Sequence, residues 1–374
     1  MILVAWAVMG RDKAWIDEID LVRVVALLAV VAIHVGAWVV WSTTPPSADP
    51  TAALVGVARF SVPTFVVLSG LVLYRGHRGR PRLPLSFIRR RLSRVVVPWL
   101  CWAPVFIVAA LAEGKLDADV GAVLRNLVLG PGHLYFLVLI AQLYVVMLVA
   151  PRPGRPLLLF TLAALGLQLG FEVARTTVPQ VPGPAGWLWT HAAPELAPFW
   201  IGYFALGWLA GAEYERLRRL RRFWPLALAV AGLAAGGFLL SSRLVPAGEP
   251  RQGVNVFFWP SLVPLAIALT LALVWAAAAL RPRLEPVWPA VTAVSRHSLG
   301  IYIAHVLLLT AYGEVTWFVP AVVRIPLLMA VSLTTSYVLV ALLARTRLGA
   351  AAVGEERAPA PPRRLDVSPR PGQA

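Results

Sequence analysis

The chain has 374 residues, of which 59% are hydrophobic and only 14% charged, with a mean hydropathy of +0.74. This composition excludes a water-soluble domain and fits an all-α, polytopic membrane protein, because lipid offers the backbone no hydrogen-bond partner outside helices or closed barrels. Its apolar runs are continuous and about 20 residues long rather than alternating, which favours helices over a barrel.

The formal net charge is +16. In a soluble protein that would suggest nucleic acid, but here the basic residues sit in short segments between apolar runs. They read as topology signals and anionic-lipid contacts, so no nucleic acid is expected. The single cysteine, Cys101, lies in an apolar run and allows neither an internal disulfide nor a metal cluster. Residues 1–10 are apolar but lack the basic start and small-residue cleavage site of a signal peptide.

Hydropathy predicts about ten spans, near 19–41, 53–74, 95–112, 133–150, 156–172, 197–212, 224–241, 257–280, 297–312 and 321–344. The fifth is the weakest, being short and followed by the Pro/Gly-rich PQVPGPAGW. Residues 1–18 then form a cytoplasmic N-terminal segment and 19–344 the transmembrane domain. Residues 345–374, rich in Pro and charge, form a disordered cytoplasmic tail. With the N-terminus inside, segments on the inner side hold 26 of the 34 Lys and Arg and outer loops hold 5. That asymmetry predicts both termini in the cytoplasm.

The first span carries ionisable groups that are costly in lipid and therefore candidates for function. Asp20 and Arg23 stand at the i, i+3 spacing at which a carboxylate and a guanidinium pair. His34 follows Arg23 by eleven positions, which places both within roughly 20° of one helix face and about 16 Å apart. The plainer alternative is an interfacial anchor and a hydrogen-bonded core histidine. His133 opens the fourth span after Pro131-Gly132, and His305 lies past the middle of the ninth. With His34 these could share the outer half of the membrane, joined by Arg59 of the second span. Interfacial capping and core packing are the plainer roles for His133 and His305.

At the inner end of the third span, FIRRRLSRVVVPW (87–99) places Arg89, Arg90, Arg91 and Arg94 together. A positive-inside anchor accounts for most such clusters. The alternative is a docking surface for an anionic cofactor, with Arg91 and Arg94 on one helix face and guanidinium groups pairing bidentately with phosphate. Gly70, Gly207 and Gly211 permit close helix packing. Nucleotide-loop, dinucleotide, zinc-protease and serine-hydrolase motifs are absent, and no metal site is expected.

Taken together, these stretches resemble the acyltransferase 3 family of integral membrane acyltransferases. The resemblance rests on Asp20 with Arg23-x10-His34, VPTFVVLSG (62–70), FIRRRLSRVVVP (87–98), HLYFL (133–137) and SLGIYIAHVL (298–307), in that order over about residues 15–344. It implies transfer of an acyl group, usually acetyl from acetyl-CoA, to a hydroxyl of a cell-surface carbohydrate or a related, for instance lipid-linked, acceptor. It implies no permanently bound cofactor. Some members carry an extra extracytoplasmic hydrolase-like domain; none is expected here, so the chain acts alone or with a separate extracytoplasmic partner. On this reading Arg90, Arg91 and Arg94 bind the CoA phosphates. His34 acts as base or acyl carrier, and Arg23, oriented by Asp20, binds cofactor or stabilises the oxyanion. His133, His305 and Arg59 serve the acceptor side. The rival functions are a transporter or flippase of a lipid-linked or polysaccharide intermediate, and a structural subunit of an envelope complex.

Overall fold

In the computed structural model, residues 16–39, 50–77, 85–146, 148, 151, 153–178, 186, 189, 195–243, 257 and 259–355 are described. Among them every regular element is a helix. The helices are α1 (Glu18–Val39), α2 (Pro50–Ala58), α3 (Ser61–His77), α4 (Leu85–Ala112), α5 (Val120–Leu129), α6 (Tyr135–Val146), α7 (Arg155–Thr177) and α8 (Ile201–Ala212). They continue as α9 (Tyr214–Arg219), α10 (Trp224–Arg243), α11 (Leu262–Leu280), α12 (Trp288–Arg296), α13 (Ser298–Val315), α14 (Ala321–Leu343) and α15 (Arg347–Ala352).

Eight helical stretches among the described residues are long and apolar enough to cross a membrane, and a ninth forms if the bent pair α5–α6 counts as one. The protein is thus a multi-pass membrane protein. The difference from ten spans lies in α8, which matches the expected 197–212 span but has 12 helical residues, about 18 Å against a hydrocarbon core of about 30 Å. The fifth span, expected to be weak, is instead the 23-residue α7, about 35 Å long.

Three further departures bear on the site. The second span breaks between Ala58 and Ser61, leaving Arg59 buried at the break. The fourth is preceded by α5, where a loop was expected, and the pair bends by 48°. The bend falls at Gly130, whose φ of 92° favours glycine, followed by Pro131, which offers no amide hydrogen. The third span runs back to Leu85, so the arginines ride on the same 28-residue helix as the span.

The stretch after Arg345 was expected to be disordered throughout. Instead Thr346 caps α15 through the Gly349 amide, and Trp102 on α4 donates to the Ala352 carbonyl at 3.0 Å. His297 also contacts Glu355 at 2.6 Å. Residues 356–374 and 1–15 lie outside the described residues.

Helix α1 is the centre of the bundle, packed by α2, α3, α11, α12, α13 and α14. Its own sequence explains this, since Val22, Ala26, Leu27, Val30, Val31 and Val35 are all nearly or fully buried around its circumference. The acidic residues at its N-terminus favour the helix dipole and tie it to neighbours. Glu18 accepts from Tyr214 and Arg218, each at 3.2 Å, and Asp17 lies 3.8 Å from Arg281. These contacts gather the arginine-rich segments at one end of the bundle, called here the basic end.

Helices α3 and α8 pack most closely. A β-carbon at Gly207 would overlap the Val67 carbonyl, and one at Gly70 the Phe204 carbonyl. Small residues are what allow such an approach where lipid supplies no hydrophobic drive between helices. Gly207→Ala is therefore expected to destabilise the fold by about 1–3 kcal/mol. Gly166→Ala, whose β-carbon would meet nothing within 4 Å, should be neutral or slightly stabilising. Thermal unfolding of both variants in one detergent makes the comparison, and equal midpoints would show that the α3–α8 contact is slack.

Candidate active site: an arginine cavity and a histidine triangle on one helix

At the basic end, Asp20 is 2% exposed, and its Oδ1 accepts from the Ser295 hydroxyl at 2.6 Å and from Arg23 at 3.4 Å. The same Arg23 nitrogen lies 3.0 Å from Ser295 Oγ. One hydroxyl from α12 thus joins both charges of α1. Arg23 in turn lines a cavity of about 120 Å³ with Arg91, Tyr144, Ser69 and apolar residues of α3. Tyr144 lies within electrostatic reach of Arg91, Arg94 and Arg23. Arg91 also packs over the Phe87 ring at 5.4 Å. Arg90 and Arg89, by contrast, are exposed. The structure therefore brings Arg91 and Arg23 into one cavity wall, with Asp20 behind Arg23 and Arg94 within electrostatic reach of Tyr144, and it brings neither Arg94 nor Arg90 into the wall itself.

Toward the other end of α1, three imidazoles from three helical segments meet. The His34 ring centroid is 5.7 Å from that of His133 and 5.0 Å from that of His305, and the latter two are 5.4 Å apart. Backbone carbonyls set two of the tautomers. His133 Nε2 faces the Ile303 carbonyl at 3.1 Å, so it carries the proton and leaves Nδ1 as an acceptor. His305 Nδ1 faces the Tyr302 carbonyl at 2.6 Å, so it carries the proton there; its Nε2 is buried without a hydrogen-bond partner among the described residues. The His34 ring makes no protein hydrogen bond among the described residues. Two rings are thus fixed with lone pairs available, and the third is held by ring contacts and only partly buried. No group of His, Cys, Asp or Glu among the described residues is arranged to hold a metal ion.

Arg59 is 5% exposed, lies within electrostatic reach of His34 and Tyr135, and packs over the Phe257 ring at 5.1 Å. It joins the triangle, as His133 and His305 do. His297 is engaged elsewhere, against Glu355 and the Tyr337 ring.

Sequence reasoning missed several participants. Tyr144 could have been found, because it follows His133 by eleven positions, the same spacing that puts Arg23 and His34 on one face. Tyr302, whose hydroxyl donates to the His133 carbonyl, precedes His305 by three. Ser295 and Glu195 gave no local signal, since both depend on tertiary neighbours. Glu195 sits in the segment before α8, where Gln142 of α6 clamps the chain by donating to the Glu195 carbonyl at 2.5 Å and accepting from the Ala197 amide at 3.1 Å. Burial pushes its carboxyl up to about 7, against a smaller opposing pull from Arg125, and Tyr135 is near. Glu18, Asp20 and Glu172 are buried as well.

A carboxyl raised on folding binds its proton more tightly in the native chain than in the unfolded one. Stability from Glu195 is therefore fully present below the ordinary carboxylate range and is lost as pH rises from there through about 7. Glu195→Gln should flatten the fall in thermal midpoint between about pH 5 and pH 8 and raise the midpoint at the upper end. An unchanged slope in the variant would mean that the carboxyl is solvated in the folded protein.

Comparison with known proteins gives the chain a family. The family profile described as an acyltransferase domain (Acyl_transf_3) matches residues 16–341. YfiQ of Bacillus subtilis (strain 168), whose own assignment as a membrane-bound acyltransferase is provisional, is 24% identical over 338 residues, covering 84% of this chain and 88% of YfiQ. No solved structure gives a significant match. With the profile spanning the α1 stripe, the arginines of α4, His133 just before α6 and His305 of α13 in one stretch, the chain belongs to the acyltransferase 3 family and is a membrane-bound acyltransferase.

Proposed function

We propose that this protein moves an acetyl group from acetyl-CoA to a hydroxyl of a cell-surface carbohydrate or related envelope acceptor, with the basic end facing the cytoplasm. The observation that carries the reading is the arrangement on α1. One helix presents an arginine-lined cavity at Arg23 and, about 16 Å further along, the histidine triangle at His34. Excess arginine at the cavity end supports the orientation.

In this reading the CoA phosphates pair with Arg91 and Arg94, whose guanidinium groups suit bidentate contact with phosphate oxygens. Arg23, held by Asp20 and Ser295, binds the donor beside them. The pantetheine arm carries the thioester along α1 to His34. An acceptor hydroxyl reaches the triangle from the opposite end, near Arg59. His34 takes the hydroxyl proton as the oxygen attacks the thioester carbonyl. The carbon–sulfur bond then breaks, the CoA thiolate leaves, and the imidazolium returns its proton to sulfur. Arg59 lies where it can stabilise the oxyanion of the tetrahedral intermediate. The lone pairs of His133 and His305 accept hydrogen bonds from the acceptor. No separate extracytoplasmic partner is needed for this chemistry.

Purified protein in nanodiscs, supplied with radiolabelled acetyl-CoA and envelope polysaccharide, tests the assignment. His34→Ala at normal folded yield should lower CoA release at least 10²-fold. Retained turnover would remove His34 from the chemistry, and label trapped on His34 would replace the base role with that of an acyl carrier. Arg91→Ala should raise the apparent KM for acetyl-CoA about 10- to 100-fold with a smaller effect on kcat, the loss expected for a charge-assisted phosphate contact. An unchanged KM would return the cluster to membrane anchoring. Folded wild-type protein that neither binds nor cleaves acetyl-CoA would favour transport of an envelope intermediate instead.

A further inference from the structure

A second cavity, of about 170 Å³, lies on the other side of α3 from the donor cavity and shares only Leu68 with it. Its walls are almost wholly carbon. Ile267, Leu271, Val274 and Ala278 form one face of α11, and Leu206 and Ala210 of α8 face them. The α11 positions recur at spacings of three, four and seven, so they line a single stripe about 16 Å long, parallel to the helix axes. The cavity is therefore a slot and not a sphere, and it is not fully enclosed.

The chemistry changes at the basic end of the slot. Arg218 lines it there, with its Nε turned to Glu18 at 3.2 Å and its side chain 48% exposed. Neither terminal nitrogen of that guanidinium has a protein partner among the described residues. Within the wall, the indole Nε1 of Trp275 is buried and has no acceptor among the described residues. An occupant must thus be long, narrow and apolar, with an anionic oxygen-bearing group at the basic end and an acceptor atom near Trp275. A free acyl-CoA does not fit, because the slot offers one arginine, Arg218, against its several phosphates.

We propose that this slot is a specific site for one acyl chain of an anionic phospholipid, with the headgroup phosphate on Arg218. The ester carbonyl at the top of the chain is the acceptor nearest the polar end. The upper part of the chain lies in the slot and the rest extends out of it, and burial of the seated methylenes supplies the affinity. The arginine supplies preference for negative headgroups over zwitterionic ones. This site is independent of the donor and acceptor chemistry and stands or falls separately from it.

Native mass spectrometry decides the matter, using protein exchanged from nanodiscs of equimolar phosphatidylglycerol and phosphatidylcholine into a mild detergent. Wild type should retain one phospholipid per chain, mainly phosphatidylglycerol. Ala210→Phe, which fills the slot, should lower retention about tenfold. Leu271→Trp fills it from the opposite wall and decides the outcome should Ala210→Phe fail to fold. Arg218→Gln should still retain lipid, but with the preference for phosphatidylglycerol reduced about fivefold, the factor expected for one arginine near an anionic surface. Wild type without retained lipid would overturn the proposal. So would retention unchanged by both filling variants, since that would be annular lipid only, or a preference unchanged by Arg218→Gln.

Discussion

A guanidinium and a carboxylate cannot sit among membrane helices unless each answers the other's charge, and the rest of this structure is arranged around meeting that demand at Asp20 and Arg23. The Ser295 hydroxyl is shared by both, so three groups from α1 and α12 form one closed contact. Breaking a buried pair of this kind by removing one member typically costs about 3–5 kcal/mol, far more than the intact pair contributes. The same contact leaves the Arg23 side chain a quarter exposed toward the arginine cavity. A group held so firmly and still presented to a cavity is poised to act on a ligand.

From that fixed point, helix geometry does the rest. Eleven residues carry α1 three turns to His34 on the same face, where two other helical segments deliver His133 and His305. Those segments are held by tight backbone devices. The kink at Gly130 turns the chain so that His133 enters at the start of α6, and the Tyr302 hydroxyl ties the His133 carbonyl to α13. Glycines at α3–α8 draw in the helix whose residues wall the arginine cavity. The polar groups are thus positioned by packing on α1, and not by loops.

Much of this was legible in the sequence, for physical reasons. Long apolar runs can only be helices, and the stripe Asp20, Arg23, His34 follows from 100° per residue. Convergence was not legible, because sequence gives depth along a helix and says nothing of which helices are neighbours. Hence His133 and His305 could be placed at the right level but not at 5–6 Å from His34. Ser295 lies 275 positions from Asp20, and Glu195 is defined by Gln142 of another helix, so neither carried a local mark. Arg90 was grouped with Arg91 and Arg94 by proximity in sequence, but its exposed direction on α4 separates it from them. The tail after Arg345 misled because a capping Thr346 and two small contacts, Trp102 with Ala352 and His297 with Glu355, order a stretch too short to show periodicity.

The central claim is that donor and acceptor approach the same helix from opposite ends. Proteoliposomes in which the chain is uniformly oriented test this directly, with acetyl-CoA added on one side at a time and CoA release measured. Release should occur only when acetyl-CoA is on the side bearing Arg91 and Arg94. Release from the histidine side, or equally from both, would contradict the account.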